Sequence, residues 1–292
     1  MSKKKVPEKT FFIDSVTGRK FNILAIIAIN GNSKVFKLSS ETGEIFAAKT
    51  RKIELVGCFV LRREYDIYQE IQTDPVAELL IPTLPKSPYF VDGAIEVLLM
   101  EFVPFTLHGL LASFHGTEVE INTLATNLLR CLKYFHRATG MVHCDVKPHN
   151  FLLRDDDPTT QPLLIDFQIS EKFGKFSFGQ TKVWASINQN IKCSTLGIVD
   201  DLESLGYIIS AFMMCPKKLP WLEMKIVKKE IVPAKRLFMK NLKNESGSKM
   251  GRFFEILDEH QTPNRIIPID PIYKKLFELF KLGPVSTKSK LV

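Results

Sequence analysis

The chain has 292 residues, 45% of them hydrophobic and 25% charged, which excludes a disordered segment and allows a sizeable buried core. No apolar run approaches the ~20 residues that cross a bilayer, and Met1–Lys5 leads into Pro7 and Glu8 rather than the apolar stretch of a secretory signal. The net charge of +8 favours acidic partners, but the basic clusters (Lys3–Lys5, Lys217–Lys218, Lys225–Lys229) are short and not interleaved with aromatics, so nucleic acid is not expected.

Five scattered cysteines (Cys58, Cys131, Cys144, Cys193, Cys215) form no C-x-x-C pair. That argues against a disulfide framework or structural zinc and for a reducing compartment, cytoplasmic or nuclear.

In chain order, residues 11–49 read as β structure. Phe21–Ile29 is a near-continuous apolar run, Val35–Leu38 alternates, and Glu44–Lys49 follows the hairpin signal Thr42-Gly43. Lys49 ends its strand as a phosphate-reaching lysine would, although alone it reads equally as an exposed strand lysine. A phosphate-cradling loop of the form Gly-x-Gly-x-x-Gly-x-Val, anchored on Val35, would need glycines where Ala28, Asn30 and Ser33 stand, with Gly31 displaced by one. Over residues 53–72 the spacing of Leu61, Glu64, Tyr65, Tyr68 and Ile71 predicts a helix, ended by Asp74-Pro75. That helix would bring Glu64 against Lys49, unless Glu64 is merely solvated beside Arg62 and Arg63. Ile95–Val103 predicts a strand closed by Pro104, with Glu101–Val103 a hinge whose backbone groups suit an adenine edge. Ile121, Leu124, Leu128, Leu132 and Phe135 predict a helix over 119–137, stopped by Gly140.

The run His143-Cys144-Asp145-Val146-Lys147-Pro148-His149-Asn150 follows, and a short apolar strand, Leu163–Ile165, then delivers Asp166-Phe167-Gln168. This spacing suits phosphoryl transfer. Asp145 would accept a proton from an attacking hydroxyl, Lys147 would neutralise the transferred group, and Asn150 and Asp166 would hold magnesium ions on nucleotide phosphates. Taken singly, each is an ordinary capping, surface or loop residue; the joint spacing is what argues for chemistry. Cys144 reads as an ordinary loop side chain more readily than as a reactive thiol. Residues 170–186 form a short segment with turn points at Gly174 and Gly179. Asp200–Tyr207 opens an apolar helix to about Met214 with its acids in the first turn. Leu219-Pro220-Trp221 and amphipathic helices to about Leu282 complete the chain, interrupted by the polar loop Asn244–Lys249.

These motifs resemble eukaryotic-type protein kinases at Lys49, Glu64, Asp145, Lys147, Asn150 and Asp166. Within them the chain looks like the casein kinase I group, which includes the vaccinia-related kinases. The group-specific residues are His143-x-Asp145-Val146-Lys147-Pro148-x-Asn150-Phe151-Leu152, Ala185-Ser186-Ile187-Asn188, Asp200–Tyr207 and Leu219-Pro220-Trp221. The resemblance implies an α+β, two-lobed fold over residues 18–284. Its N-lobe, 18–100, would be mainly antiparallel β with one helix, followed by a hinge at 101–104 and a mainly helical C-lobe at 105–284. Residues 1–17 would form an extension and 285–292 a tail.

The resemblance further implies a serine/threonine kinase using ATP and Mg2+ on protein substrates, and a monomer is the default oligomeric state. Asp145 would be the catalytic base, with Lys147 marking serine/threonine specificity. Lys49, Glu64, Ala28, Asn30, Ser33, Val35, Ala47, Met100 (the gatekeeper), Glu101 and Val103 would surround ATP. Asn150 and Asp166 would bind metal, Thr181 would brace the catalytic loop, and Asp201 would hold its backbone. Cys144 in place of arginine argues against control by a phosphorylated activation loop. Ile198 and Val199 replace a basic pair that serves acidic or primed substrates, and Gln168 replaces the glycine of Asp-Phe-Gly. With the missing loop glycines, Cys144 and Gln168 give a second reading, a pseudokinase acting as a scaffold. A third, a small-molecule phosphotransferase, is disfavoured by Lys147-Pro148 and the Asp200–Tyr207 helix.

Overall fold

A computed structural model describes residues 10–54, 60–111, 113–175, 183–191, 194–214, 219–223, 230–262 and 266–281. The fold is α+β and divides into two compact units, Met1–Glu78 with Pro82–Val103, and Leu79–Ile81 with Pro104–Val292.

The first unit is an antiparallel sheet with one helix. Its strands are β1 (Phe11–Ile13), β2 (Lys20–Asn30), β3 (Ser33–Ser40), β4 (Ile45–Lys52), β5 (Tyr89–Asp92) and β6 (Ile95–Glu101), in the order β1-β2-β3-β4-β6-β5. Alternating apolar residues from these strands converge on one core of Phe12, Phe21, Leu38, Ala48, Phe90, Val97 and Leu99, with Phe21 stacked on Phe90 at 5.8 Å. Each such aromatic contributes roughly 1.5–3 kcal/mol through burial. Phe11–Ile13, which the sequence reading places in an extension, pairs with Lys20–Asn22 and supplies Phe12 to that core. The helix α1 (Val60–Ile71) buries Leu61, Glu64, Ile67, Tyr68 and Ile71, the three- and four-residue spacing expected of one face. Helix is expected from residue 53, but Ile53 and Glu54 are extended from β4 rather than helical.

The second unit is mainly helical. After β7 (Phe105–Thr106) and α2 (Leu107–Leu111) comes the long helix α3 (Glu118–Thr139). Thr117 and Glu120 form a reciprocal capping box at its start, and Gly140 ends it at φ +61°, a conformation glycine adopts without Cβ strain. Short strands β8 (Met141–Val142), β9 (Phe151–Leu153), β10 (Leu163–Leu164) and β11 (Glu171–Lys172) bracket the loop of interest, with β9 between β7 and β10 and β11 on β8. Helix α4 (Ile198–Met214) runs through the middle, buried at fifteen of its residues. It is followed by α5 (Pro220–Glu223), α6 (Ile231–Asn244), α7 (Lys249–Glu259) and α8 (Ile269–Leu279). A Cβ on Gly206 would lie 2.8 Å from the Phe253 ring, so α4 and α7 pack at a distance only glycine permits. Among the described residues no helix is long and apolar enough to cross a membrane.

Candidate active site

Lys49 lies inside β4, which the sequence reading ends at Lys49 but which pairs on to Lys52, and it stands opposite Val35 on β3 and Leu98 on β6. Its Nζ lies 2.6 Å from Glu64 Oε2 on α1, with the side chains only 11% and 1% exposed. Two charges this far from water persist only as a pair, so the contact fixes where the ammonium points.

The position of Glu64 depends in turn on how α1 begins. Glu96 of β6 is fully buried, and its carboxylate accepts the backbone N–H groups of Val60 (3.0 Å), Leu61 (3.0 Å) and Arg62 (3.2 Å) as well as the Tyr89 hydroxyl (3.0 Å). These are first-turn donors with no partner inside the helix, and a negative charge there also complements the helix dipole. Burial and the neighbouring Glu96 push the Tyr89 phenol up. Sequence reasoning missed Glu96. Its one signal is an acid inside the apolar run Ile95–Met100.

The region expected to cover a nucleotide is a closed hairpin. Ala28 pairs with Val35 and Asn30 with Ser33, leaving Gly31-Asn32 as the link, with Gly31 at φ +56°. Ser33 is buried and Ala28 exposed. Ala47 lies opposite Met100, which is buried, as is Val103. The Glu101 N–H donates to the Thr83 carbonyl at 2.8 Å, and the Glu101 carboxylate accepts from the Thr83 N–H and hydroxyl at 3.1 and 3.2 Å. The Glu101 N–H is therefore committed within its own unit rather than offered to an adenine edge.

In the second unit, Asp145 is buried and its Oδ2 takes two donors: Lys147 Nζ at 2.6 Å and Asn150 Nδ2 at 3.3 Å. The same Asn150 amide nitrogen donates to the Asp145 carbonyl at 2.8 Å. His143 orients the aspartate from the other side. Its Nδ1 accepts the Asp145 N–H at 3.2 Å, so the ring proton is on Nε2 and donates to the Ile165 carbonyl at 2.9 Å. Asp166 follows directly, and the Ile165 N–H donates to the Asn150 carbonyl at 3.1 Å, tying the two loops together.

Asp166 has φ +71° and Cys144 φ +68°. Left-handed backbone costs an L-residue about 1–2 kcal/mol, and less for aspartate. Compensation for Cys144 comes from Asp201 of α4, which is fully buried and accepts the N–H groups of His143 (2.6 Å) and Cys144 (3.0 Å), plus His136 Nε2 (2.8 Å). The other imidazole nitrogen of His136 meets the Tyr273 hydroxyl at 2.9 Å. Burial, with Asp201 and Asp200 nearby, pushes the Cys144 thiol up, and it donates to the Val142 carbonyl at 3.4 Å. Both effects favour the protonated thiol over the thiolate. Phe167 is fully buried, stacked on Phe135 at 5.1 Å and edge-on to His143 at 5.6 Å.

The segment after Asp166 is anchored twice: by β11 on β8, and by Ser186 Oγ donating to Asp200 Oδ1 at 2.7 Å and the Ile187 N–H to Glu203 Oε1 at 2.6 Å. Lys235 of α6 is fully buried and donates to the Ala185 carbonyl, with its ammonium 4.8 Å from the Tyr207 ring. Thr181, Gly179 and the Lys217–Lys218 and Lys225–Lys229 clusters lie outside the described residues.

The donor chemistry fits magnesium. With the Asn150 amide nitrogen committed to Asp145, the amide oxygen is the atom that would meet an ion, and Asp166 would add a carboxylate. Among the described residues no group of three or more His, Cys, Asp or Glu side chains is placed to hold a metal ion by itself. One carboxylate and one amide suit a hard cation that keeps several waters and takes its remaining oxygens from phosphates. The structure thus places Lys49, Glu64, Ala28, Asn30, Ser33, Val35, Ala47, Met100, Glu101 and Val103 in the first unit, and in the second it joins Asp145, Lys147 and Asn150 directly, with Asp166 and Asp201 in the same unit. A family model described as the protein kinase domain matches residues 23–262.

Proposed function

The chain belongs to the protein kinase family, and on that premise we propose that it is an ATP- and magnesium-dependent enzyme phosphorylating serine and threonine hydroxyls of proteins. The observation that carries this reading is the single Asp145 oxygen that holds both the Lys147 ammonium at 2.6 Å and the Asn150 amide. Asp145 takes the proton of the acceptor hydroxyl as the new O–P bond forms. Lys147 neutralises charge on the phosphoryl group in flight, and Lys49, aimed by Glu64, binds the non-transferred phosphates. Asn150 and Asp166 would hold magnesium, which would supply positive charge against the nucleotide phosphates. Asp201 braces the loop through the His143 and Cys144 N–H groups. We place the chain in the casein kinase I group on Ala185–Asn188 and Asp200–Tyr207, acting as a monomer in the cytoplasm or nucleus. With Ile198 and Val199 where that group carries basic residues, the group's preference for acidic or primed substrates loses its support here.

A second reading, a nucleotide-binding scaffold without turnover, is supported by the hairpin paired up to Asn30 and Ser33. Thermal melts with ATP, with and without Mg2+, alongside turnover on a generic protein substrate separate the two. A magnesium-dependent rise in melting temperature together with turnover supports the enzyme. Magnesium-independent binding without turnover makes it a scaffold.

A further inference from the structure

On the second unit, one side of α3 and the C-terminal end of α8 enclose a groove of about 650 Å3. Its walls include Asn122, Asn127, Arg130 and Lys133 from α3, with Phe277 and Lys281 opposite, and no acid is among the described lining residues. From Asn122 to Lys133 the helix runs about 16 Å, the length of roughly five residues of extended peptide. The groove shares no residue with the site around Asp145.

Two of its three cations already have acidic partners. Lys133 lies 3.0 Å from Asp270, which also takes Arg137 at 2.7 Å, and Lys281 lies 2.6 Å from Glu278. Arg130 differs. Its hydrogen bond among the described residues runs to a neutral amide oxygen, Asn127 Oδ1, at 2.9 Å. Asn127 is only 5% exposed, and its Nδ2 is tied to the Thr159 carbonyl at 2.9 Å, so the amide cannot turn away. A fixed, buried amide therefore holds one edge of a guanidinium whose other N–H donors remain for a ligand, in the planar fork that matches a carboxylate. Phe277 is half-buried beneath the Lys133 ammonium, 5.7 Å from its ring centre, and gives the groove an apolar floor.

We propose that this groove docks an acidic peptide segment bearing one aromatic or large aliphatic side chain, with Arg130 anchoring a carboxylate and Phe277 receiving the apolar group. A peptide fits better than a nucleic acid, because the groove is one helix long and offers amides and a single cation-covered ring rather than successive exposed aromatic faces for bases.

The test is fluorescence anisotropy of the full chain with a fluorescein-labelled pentapeptide, Glu-Asp-Phe-Asp-Glu, and its neutral analogue Gln-Asn-Phe-Asn-Gln. The acidic peptide should bind at least tenfold more tightly, and more weakly as salt rises. Arg130→Glu should weaken it at least tenfold and Arg130→Lys by less, since the charge stays and the fork is lost. Phe277→Ala should weaken it several-fold. Arg236→Glu, which alters an exposed cation on α6, should leave binding unchanged. Equal binding of the neutral peptide, wild-type binding by Arg130→Glu, or an equal loss in Arg236→Glu would overturn the proposal. So would displacement of the peptide by a lower concentration of single-stranded oligonucleotide. All four variants change half-buried or exposed side chains, and matching melting temperatures establish that they fold.

Discussion

The Lys49 ammonium meets the Glu64 carboxylate at 2.6 Å inside the first unit, and a third residue, Glu96, fixes the helix start from which Glu64 projects. Glu96→Ala removes the acceptor of three helix N–H groups and of the Tyr89 hydroxyl. The expected loss is about 2–3 kcal/mol of stability, since capping and buried donors left unpaired each cost on the order of 1 kcal/mol or more. The KM for ATP should rise with it, as Glu64 loses its fixed origin. Urea melts and steady-state kinetics check both. Glu96→Gln, which keeps one acceptor oxygen, should lie between.

Asp201 presents the corresponding case in the second unit. Its carboxylate is the shared acceptor for the His143 and Cys144 N–H groups and His136. Asp201→Asn keeps the size but leaves one oxygen to serve donors that had two, against a left-handed Cys144. Hydrogen bonds to charged groups contribute about 1.5–3 kcal/mol each, so a stability loss of about 2–4 kcal/mol is expected, with kcat down roughly a hundredfold through displacement of Asp145. An unchanged kcat in a destabilised variant would show that the catalytic loop does not need this support.

Asp14 gives a pH signature to the strand β1. Burial pushes its carboxyl up, but the Thr17 hydroxyl, the Val16 and Thr17 N–H groups and Arg19 outweigh burial and hold it below the ordinary aspartate value. As pH falls, the unfolded chain therefore takes up this proton before the folded one. The stabilisation is complete above the unfolded value of about 3.9 and is lost as pH falls through the lower folded value. The stability gap between wild type and Asp14→Asn should be wide at pH 7 and should shrink towards pH 3 in urea titrations.

Cys131 and Cys144 should be inert in the folded protein. Burial pushes the Cys131 thiol up to about 12 and pushes Cys144 up as well, so the reactive thiolate is scarce at pH 8. Brief treatment with iodoacetamide, followed by peptide mapping, should leave both unmodified in the native protein and alkylate both in urea.

Much of this was legible in the chain because the signals are local. The period of Ile121, Leu124, Leu128, Leu132 and Phe135 announces α3, and Gly140 marks its end. The four polar residues from Asp145 to Asp166 lie within one loop and the strands that follow it. The fifteen-residue step from Lys49 to Glu64 spans one strand end and one helix face, so their contact was also within reach. Glu96 was not, because it caps a helix thirty-six residues earlier in the chain, and no periodicity reports a bond over that separation. β1 was read as β structure but set in an extension for a similar reason: three residues carry no period, and only pairing with β2 gives Phe12 a core to enter. From the chain alone the acids opening α4 read as first-turn charges stabilised by the dipole, and only the family resemblance pointed to Asp201 on the catalytic loop. Both acids are fully buried, and the bond of Asp200 to Ser186 had no signal in the sequence.

The central claim is phosphoryl transfer that depends on Asp145. The most direct measurement is incorporation of γ-labelled phosphate from magnesium-ATP into the protein itself and into a protein substrate, for wild type, Asp145→Asn and Lys49→Met in parallel, with acid hydrolysis to identify the labelled amino acid. The account predicts label on serine or threonine, at least a hundredfold less in Asp145→Asn, a large loss in Lys49→Met, and none without magnesium. Equal labelling of wild type and Asp145→Asn would contradict it.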